Sequence, residues 1–224
     1  MLILASSSPR RRELLAQAGL EFTVRPAHIN EDTRPGEDPT AYVMRLAREK
    51  AEAVFKEMAL SEDEAAVQGL KPGTSFSGTC GTTEVVPCYK TEQGLDGLVV
   101  LGADTTVTID GHILGKPEDA ADAARMLRML SGRTHRVITG VALATAGGTE
   151  VASEVTAVRF VALSGEEIAE YVAAGEPMDK AGAYGIQGRA AKWIPRIEGC
   201  YFNVVGLPLA LVSTMLESVR VARI

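Results

Sequence analysis

The chain has 224 residues, of which 46% are hydrophobic and 23% are charged. This composition is typical of a globular protein with enough apolar surface for one large domain or two small lobes. The formal net charge of −6 argues against a general nucleic-acid-binding surface, so we expect no nucleic acid among the partners.

The first part of the chain alternates short strands with helices. The predicted elements are, in chain order, a strand over residues 2–5, a helix from Ser8 to Gly19, a strand over residues 22–25 and a helix from Asp38 to about residue 55. Between residues 60 and 97, small polar and acidic residues dominate without a clear period. We interpret residues 60–97 as a surface loop insertion, within which a small hairpin around Val85 and Val86 stays an open alternative.

The second part of the chain predicts longer strands joined by hairpins. The predicted elements are a strand from Leu98 to Asp104, a strand that ends at an Asp110-Gly111 turn, a helix from Pro117 to Gly132, strands over residues 136–144 and 150–160, a helix from Ser164 to Gly175, a glycine-rich loop over residues 176–188, short strands near residues 193–194 and 201–205, and a helix from Pro208. Mixed helices and hairpins favour an α/β fold with a mixed sheet over a purely parallel one. The sequence has no internal repeat, and we expect a single domain over residues 1–224.

Cysteine usage and hydropathy indicate the compartment. Cys80, Cys88 and Cys200 form neither a CxxC pair nor a paired framework, which fits free thiols in a reducing cytoplasm. A Cys80–Cys88 disulfide is the less favoured alternative. The first residues lack the basic segment and the long apolar core of a signal peptide. No apolar run approaches the ~20 residues that a membrane span needs, so we expect a cytoplasmic protein without a membrane partner.

Asp104 is the strongest chemical signal in the sequence. It lies between apolar runs over residues 98–103 and 105–109, which predict buried strands. An ionised carboxylate in such surroundings costs several kcal/mol unless it is paired, hydrogen-bonded or bound to a metal. We therefore expect Asp104 to face a cation, and the basic residues elsewhere in the chain suggest a metal together with a polyphosphate.

A basic helix start near the N-terminus predicts an anion site. The stretch Ser6-Ser7-Ser8-Pro9-Arg10-Arg11-Arg12 follows a strand and begins a helix. Backbone N–H groups and the helix dipole attract anions there, whereas the dipole disfavours cations unless an anion compensates them. Because arginine forks suit phosphate, Ser6, Arg10 and Arg11 are candidate phosphate-binding residues. A solvated basic turn paired with Glu13 is the alternative, and the chain has no Walker A loop.

Two lysines are further candidates for phosphate binding. On a helical wheel, Lys50 shares one narrow face with Val43, Ala47 and Val54. A lysine within an apolar stripe either extends its ammonium to solvent or meets an anion, and the presence of Asp104 favours the second outcome. Lys116 stands just before the predicted start of the next helix, where the dipole again favours an anion.

Glu31 is a candidate partner of Asp104 in a metal site. It follows the second predicted strand in the stretch His28-Ile29-Asn30-Glu31-Asp32. Mg²⁺ typically takes one or two carboxylates together with phosphate oxygens and waters, so Glu31 and Asp104 would suit a hard cation. A solvated loop acid is the alternative. Histidines without ligand spacing are interpreted as structural or surface residues, namely His28, His112 and His135.

A glutamine between glycines predicts a loop that approaches a ligand closely. The stretch is Tyr184-Gly185-Ile186-Gln187-Gly188. Glycines let the backbone come near a ligand, and the amide of Gln187 offers both a donor and an acceptor. Such an amide matches the edge of a pyrimidine base. A plain turn without a ligand is the alternative.

Together these stretches resemble the Maf family of nucleoside triphosphate pyrophosphatases. They occur in the family's order and cover nearly the whole chain outside residues 60–97. The matching stretches are Leu4-Ala5-Ser6-Ser7-Ser8-Pro9-Arg10-Arg11, Arg45-Leu46-Ala47-Arg48-Glu49-Lys50-Ala51, Leu101-Gly102-Ala103-Asp104-Thr105, Gly115-Lys116-Pro117, Met129-Leu130-Ser131-Gly132, Asp179-Lys180-Ala181-Gly182-Ala183-Tyr184-Gly185-Ile186-Gln187-Gly188 and Val205-Gly206-Leu207-Pro208.

The resemblance is to the dTTP/UTP branch of this family rather than to the branch that acts on 7-methyl-GTP. It implies a Maf/ITPase-like two-lobed α/β fold, in which helices flank an elongated mixed sheet with a central cleft. It also implies hydrolysis of dTTP and UTP between the α- and β-phosphates, with the nucleoside monophosphate and pyrophosphate as products. The alternatives are action on 7-methyl-GTP or another non-standard nucleotide, and a regulatory nucleotide-binding role in septum formation.

The resemblance assigns roles to individual residues. It implies that Asp104 is the proton acceptor and that the base is selected at Arg10, Thr105 and Gln187. It implies polar cleft roles for Glu31, Lys50 and Lys116, with Mg²⁺ or Mn²⁺ as the cofactor at Glu31 and Asp104, and it is compatible with a homodimer. The chain departs from the family pattern in the insertion over residues 60–97 and at Asn30, where an acid is frequent.

Overall fold

A computed structural model describes the backbone of residues 1–68 and 97–221 and the side chains of residues 1–60 and 97–219. Cys80, Cys88 and the predicted hairpin around Val85 lie outside the described residues. The elements are β1 (Leu2–Leu4), α1 (Pro9–Gln17), β2 (Thr23–Val24), α2 (Pro39–Gln68), β3 (Val99–Ile109), β4 (His112–Leu114), α3 (Ala120–Leu130), β5 (Thr134–Thr145), β6 (Gly148–Arg159), α4 (Gly165–Ala173), short 3₁₀ helices over Glu176–Asp179, Ala181–Ala183 and Arg189–Trp193, β7 (Arg196–Glu198), α5 (Tyr201–Val205) and α6 (Leu209–Val221).

The strands of the described residues form one seven-stranded sheet in the order β2-β1-β3-β5-β6-β7, with β4 paired to β3. Strand β1 runs parallel to both of its neighbours. The remaining pairs are antiparallel. The predicted α/β class with an elongated mixed sheet is therefore confirmed.

One long strand replaces the two strands predicted on either side of Asp104. Strand β3 runs from Val99 to Ile109 and pairs with β5 without a break, with Asp104 opposite Gly140. The prediction of two strands is wrong because the threonines after Asp104 are β-branched and continue the ladder. The predicted hairpin follows this strand, since Asp110 and Gly111 both adopt positive φ, at 51° and 79°.

Helix α2 crosses the sheet at very short range. A Cβ atom added to Gly102 would collide with the backbone of Ala47, and one added to Gly140 would collide with the backbone of Val43. Both positions therefore need glycine for close approach rather than for a turn. This contact places the face of α2 that contains Lys50 directly over the strand that contains Asp104.

Several predicted boundaries differ from the structure. Helix α2 continues past residue 55 to Gln68, so helical backbone covers the beginning of the predicted insertion, and its remainder stays a prediction. Helix α3 begins at Ala120 rather than at Pro117, because the Asp119 side chain caps it by accepting a hydrogen bond from the Asp122 N–H at 2.7 Å.

The predicted strands near residues 193–194 and over 201–205 are wrong. The first is the end of a 3₁₀ helix, and the second is α5. A short apolar run does not distinguish a strand from a buried helical turn. Here Asn203 decides, because its fully buried amide donates to the carbonyl of Val137 and to Thr156 Oγ1, both at 3.0 Å.

The described core divides into clusters at the two ends of the sheet. One lies under α3 and α4 and includes Phe160, Tyr171 and Trp193. The others cover the two faces at the β1 end, one under α1 and α6 and one under α2. Within the described part of the chain, none of the helices has the length and apolar character of a membrane span.

Candidate active site

A cleft of about 670 Å³ opens between the sheet, the start of α1 and the segment after α4. It is lined by every residue that the sequence nominated for the site, namely Ser6, Arg10, Arg11, Glu31, Lys50, Asp104, Thr105, Lys116 and Gln187. The structure therefore brings together residues that are distant in sequence. Their individual roles stay predictions.

Lys50 lies between two carboxylates on the floor of the cleft. Its Nζ atom is 2.7 Å from Asp104 Oδ1 and 2.7 Å from Glu31 Oε1. Lys50 is 7% exposed and Asp104 is 9% exposed, so the lysine does not extend to solvent. The expectation that Asp104 faces a cation is confirmed, and in this structure that cation is an ammonium.

The charge of Lys50 controls the ionisation of Glu31. Burial alone would raise the pKa of the Glu31 carboxyl, but the hydrogen bond and charge of Lys50, with smaller effects of Lys116 and Arg11, hold this pKa below its ordinary value. The Tyr42 hydroxyl donates to the carbonyl of Glu31 at 2.9 Å and fastens this loop to α2. Burial, together with the nearby negative charges of Asp104 and Glu31, raises the pKa of Tyr42 to about 12, so this hydroxyl keeps its proton.

The same two carboxylates have the donor chemistry of a divalent cation site. Oxygen ligands of Asp and Glu suit Mg²⁺ and Mn²⁺, and such ions commonly complete their coordination with phosphate oxygens and waters. Among the described residues, no group of three or more His, Cys, Asp and Glu side chains is arranged around one point. Glu31 and Asp104 offer oxygen ligands of this kind, and in this structure the Lys50 ammonium lies between them.

Arg11 is buried and its donors already have partners inside the protein. Its Nε atom donates to the carbonyl of Gly206 at 2.9 Å, and Nη1 donates to the carbonyl of Ala103 at 2.8 Å and to Ser6 Oγ at 3.2 Å. Its Nη2 atom donates to Thr105 Oγ1 at 3.0 Å. Arg11 thus ties the start of α1 to β3 and to the loop before α6.

Thr105 and Asp104 project from opposite faces of β3, as neighbouring residues in a strand must. The hydroxyl of Thr105 lies 2.9 Å from that of Thr139 and 3.3 Å from the carbonyl of Gly206. Thr139 in turn donates to the carbonyl of Asn203 at 3.2 Å. Thr105 is therefore held by Arg11 on one side and by the α5 connection on the other.

The side chain of Arg10 points away from this buried cluster and contacts Asp179 on the opposite side of the cleft. Its guanidinium donates to Asp179 Oδ2 at 2.9 Å and to the Asp179 carbonyl at 3.3 Å. Partial burial opposes ionisation of Asp179, but hydrogen bonds from Lys180 and Arg10 hold its pKa below the ordinary value. The two arginines predicted to bind phosphate therefore have different surroundings, since Arg10 is partly exposed in the cleft and Arg11 is enclosed.

Comparison with known proteins identifies the family to which the chain belongs. Residues 1–219 match the sequence model of the family described as Maf-like protein. The chain belongs to the Maf family. The chain is similar to proteins named dTTP/UTP pyrophosphatase, with 48% identity to that of Koribacter versatilis over 96% of this chain and 93% of the relative. The corresponding protein of Chromobacterium violaceum is 47% identical over 93% and 89%, and that of Hahella chejuensis is 45% identical over 96% and 90%.

In this Maf family member, Lys116 lies at the mouth of the cleft, where its side chain is exposed. The prediction that it stands at the N-terminus of a helix is wrong, because α3 has its N-cap at Asp119. Lys116 belongs instead to the connection between β4 and α3. Its charge reaches Glu31, whose pKa it helps to lower.

Gln187 lies on a tight turn on the opposite side of the cleft. The N–H of Gly188 donates to the carbonyl of Gly185 at 3.0 Å, which closes the turn around Ile186 and Gln187. The side chain of Gln187 is exposed to the cleft. The turn leads directly into the 3₁₀ helix over Arg189–Trp193.

Sequence reasoning did not single out several polar residues that line the cleft, namely Tyr42, Glu176, Asp179 and Lys180. The last three lie within the predicted glycine-rich loop over residues 176–188, where charged side chains are typical of an ordinary solvated segment. Asp179 and Lys180 also begin one of the stretches that resemble the family. The signal that points to these residues is the density of charge directly before the turn that contains Gly185 and Gly188.

Proposed function

We propose that this Maf family member hydrolyses dTTP and UTP to the nucleoside monophosphate and pyrophosphate. The observation that carries the proposal is the buried Asp104 paired with Lys50 on the floor of a cleft that also contains Arg10 and Lys116. Relatives that are 43–48% identical over most of the chain carry the name dTTP/UTP pyrophosphatase, which supports the same substrate class.

In the proposed reaction, a water oxygen attacks the α-phosphorus and the bond from the α-phosphorus to the bridging oxygen breaks. Asp104 accepts the proton of the attacking water, and pyrophosphate leaves with the electrons of the broken bond. Lys50 Nζ lies 2.7 Å from Asp104 Oδ1, so the ammonium holds the proposed proton acceptor in place on the floor of the cleft. Charge neutralisation and alignment of the attacking water account for most of the catalysis in phosphoryl transfer.

Phosphate binding is proposed for Ser6, Arg10, Lys50 and Lys116. Helix α1 begins beside them, and the N–H groups of its first turn add partial positive charge. Arg11 was nominated with this group, but its donors already bind Ser6, Ala103, Thr105 and Gly206. We therefore assign Arg11 to holding Thr105 in place.

Glu31 and Asp104 would hold Mg²⁺ or Mn²⁺, as their carboxylate chemistry fits. When bound, such a cation supplies positive charge that neutralises the phosphate oxygens. Lys50 then has a second role, because its ammonium lies between the two carboxylates and holds them close together. Asp104 is enclosed there, whereas the Glu31 side chain is about half exposed.

Base selection is proposed for Thr105 and Gln187, with Arg10 between the phosphate and base regions. Uracil and thymine present one N–H donor between two carbonyl acceptors. A glutamine amide can pair with such an edge because it contains a donor and an acceptor. A site built to pair with that edge discriminates strongly against bases that leave it unpaired.

A substrate panel tests the proposal. Turnover of dTTP, UTP, CTP and 7-methyl-GTP is measured with a product assay that separates pyrophosphate from inorganic phosphate. We expect kcat/KM to be highest for dTTP and UTP, with pyrophosphate as the product. Preference for 7-methyl-GTP would support the alternative substrate, and nucleotide that stays intact in the presence of Mg²⁺ would support a binding role alone.

A further inference from the structure

The turn that contains Gln187 rests on the side chain of Glu176. Glu176 Oε1 accepts a hydrogen bond from the Tyr171 hydroxyl at 3.0 Å. The same carboxylate accepts from the backbone N–H of Arg189, at 3.2 Å for Oε1 and 3.3 Å for Oε2. Glu176 thus connects a buried tyrosine of α4 to the residue that directly follows the turn.

The buried Tyr171 side chain holds the Glu176 carboxylate in a fixed position. Tyr171 is 1% exposed and its ring packs edge-on against Trp193 in the core. Its hydroxyl also accepts a hydrogen bond from the N–H of Gly185 at 3.3 Å. Burial, and then the hydrogen bond to Glu176, raise the pKa of Tyr171 above its ordinary value, so the phenol stays a donor to the carboxylate.

The turn lies so close to its support that its glycines have no room for a methyl group. A Cβ atom on Gly188 would collide with the Glu176 carboxylate, and one on Gly185 would lie 2.7 Å from Lys180 Cε. Lys180 is itself fixed, because its Nζ atom donates to the carbonyl of Glu176 at 2.7 Å. The φ of Gly188 is −101°, which other residues can adopt, so a side chain is excluded there by space and not by backbone strain.

We propose that Glu176 is a positioning residue for base selection, which sets the position of the Gln187 turn in the cleft. The inference rests on the proposed function, in which Gln187 pairs with the base. An amide that reads a base edge must lie within a few tenths of an ångström of the correct place, because hydrogen bonds weaken steeply with distance and angle. The turn is closed by its own backbone hydrogen bond, but its position relative to the rest of the cleft depends on Glu176 and Tyr171.

The side chains that hold the Gln187 turn also connect to Arg10, which is another candidate for substrate selection near the cleft mouth. Lys180 Nζ donates to Asp179 Oδ1 at 2.6 Å, and Asp179 Oδ2 pairs with Arg10 at 2.9 Å. Glu176, Lys180 and Asp179 therefore form a continuous path from the Gln187 turn to Arg10. We expect a shift of Glu176 to disturb Gln187 and Arg10, which are two of the three candidates for substrate selection.

The experiment compares matched variants by kcat/KM for dTTP, UTP, CTP and 7-methyl-GTP, with a melting curve for each. Glu176→Gln keeps an oxygen acceptor for Tyr171 and for the Arg189 N–H, so we expect near-wild-type selectivity. Glu176→Ala removes the acceptor, and we expect kcat/KM for dTTP and UTP to fall about tenfold or more relative to the other two nucleotides. Glu170→Ala changes an exposed acid on α4, next to Tyr171, and serves as the control.

Gly188→Ala tests the contact from the other side. Its added methyl group collides with the Glu176 carboxylate and separates the carboxylate from the turn, so we expect the same loss of selectivity as in Glu176→Ala. The double variant Gly188→Ala/Glu176→Ala keeps the methyl group but removes the carboxylate with which it collides. We expect its defect to be smaller than the product of the single defects, as is usual for residues in contact. Gly188→Ala also decides the question if Glu176→Ala does not fold.

Gln187→Glu separates this inference from the function on which it rests. If Gln187→Glu alters the preference for dTTP and UTP while Glu176→Ala and Gly188→Ala do not, the positioning role is wrong and the proposed function stands. Equal losses on all four nucleotides in Glu176→Ala would likewise overturn it, because a purely structural role lowers every activity together. If Gln187→Glu leaves the preference unchanged, the base-reading role fails and the inference falls with it.

Discussion

The two walls of the cleft are built in different ways. One wall places Asp104 on the long central strand β3 and Lys50 on α2. Gly102 of β3 and Gly140 of the neighbouring β5 let α2 approach the backbone of the sheet closely. The other wall places Gln187 on a tight turn between short 3₁₀ helices, where single side chains hold it. A sheet and a helix in direct contact leave little freedom for displacement, whereas a turn on side-chain supports can be moved by one substitution.

This difference matches the tasks proposed for the two walls. Proton transfer and phosphate binding need fixed charges, and regular elements position charges more precisely than loops do. Selection of a base needs a surface that can change without rebuilding the fold. We therefore expect substitutions on the Asp104 wall to reduce turnover for every nucleotide and those on the Gln187 wall to change the ranking of nucleotides.

For the Asp104 wall, the largest effect is expected when divalent cations are removed. We expect hydrolysis to fall to background in excess EDTA and to return when Mg²⁺ or Mn²⁺ is added, because Glu31 and Asp104 provide oxygen ligands of the kind that these ions bind. The assay measures release of pyrophosphate from dTTP, and EDTA already saturated with Mg²⁺ is the control. Full activity in excess EDTA would remove the cation from the proposal.

The next effect is expected for Asp104→Asn. Loss of the proton acceptor should lower kcat by roughly 10²- to 10⁴-fold, the usual contribution of general base catalysis. The fold should survive, because Lys50 keeps its contact with Glu31 at 2.7 Å. The measurements are kcat for dTTP and UTP, nucleotide affinity and a melting curve. A variant with wild-type kcat would show that another group accepts the proton.

The sequence predicts the first wall well because local patterns place its residues. The helical wheel puts Lys50 on an apolar face, and the apolar run around Asp104 predicts a buried strand, although the two residues are 54 positions apart. Each pattern identifies an ionisable side chain in a buried position without knowledge of the other. A buried acid and a buried base in one small protein are then strong candidates for each other.

The second wall could not be predicted to the same degree. Its organisation depends on the space beside Gly188 and on the hydrogen bonds of Glu176, and neither follows from periodicity or spacing. The role of Arg11 is similar, because only the folded chain brings the carbonyls of Ala103 and Gly206 to its guanidinium. The flanking glycines and the resemblance to the family both indicate Gln187 as a candidate, but neither indicates what holds Gln187 in place.

Lys50→Met tests how far the first wall depends on one charge. Without the ammonium, Asp104 would be buried without this partner, and we expect the free energy of unfolding to fall by roughly 3–5 kcal/mol. The pKa of Glu31 should rise, since Lys50 is a main cause of its low value and burial acts in the opposite direction. Carboxyl NMR titration measures this shift, and urea unfolding measures the stability.

Lys50→Arg is the matched control, because it keeps the positive charge next to both carboxylates. We expect its Glu31 titration to stay close to that of the wild type, while Lys50→Met moves the midpoint to higher pH. The same Glu31 midpoint in all three proteins would mean that Lys50 does not control the ionisation of this wall. The proposed dependence of the Asp104 wall on this one charge would then be wrong.

The smallest expected effect concerns the buried side chains beneath the second wall. There His135 contacts Tyr184, the first residue of the stretch that contains Gln187. His135 Nε2 lies 2.8 Å from the Tyr184 hydroxyl, and the imidazole packs edge-on against Phe160. Within the described part of the chain, its buried Nδ1 atom has no hydrogen-bond partner. Burial lowers the pKa of His135 to about 4, so the imidazole is neutral in the folded protein at neutral pH.

Because the pKa of His135 is lower in the folded chain than the ~6.5 of free histidine, the unfolded chain binds more protons between these two values. The stability from neutral His135 is complete above pH ~6.5 and is lost as the pH falls toward the folded pKa of about 4. Between pH 7 and pH 5 this group alone should lower the free energy of unfolding by about 2 kcal/mol. Urea unfolding of the wild type and of His135→Gln at both pH values measures the effect. The glutamine keeps a polar group near Tyr184 but does not titrate, so the stability of this variant should depend less on pH, and an identical dependence in both proteins would contradict the assignment.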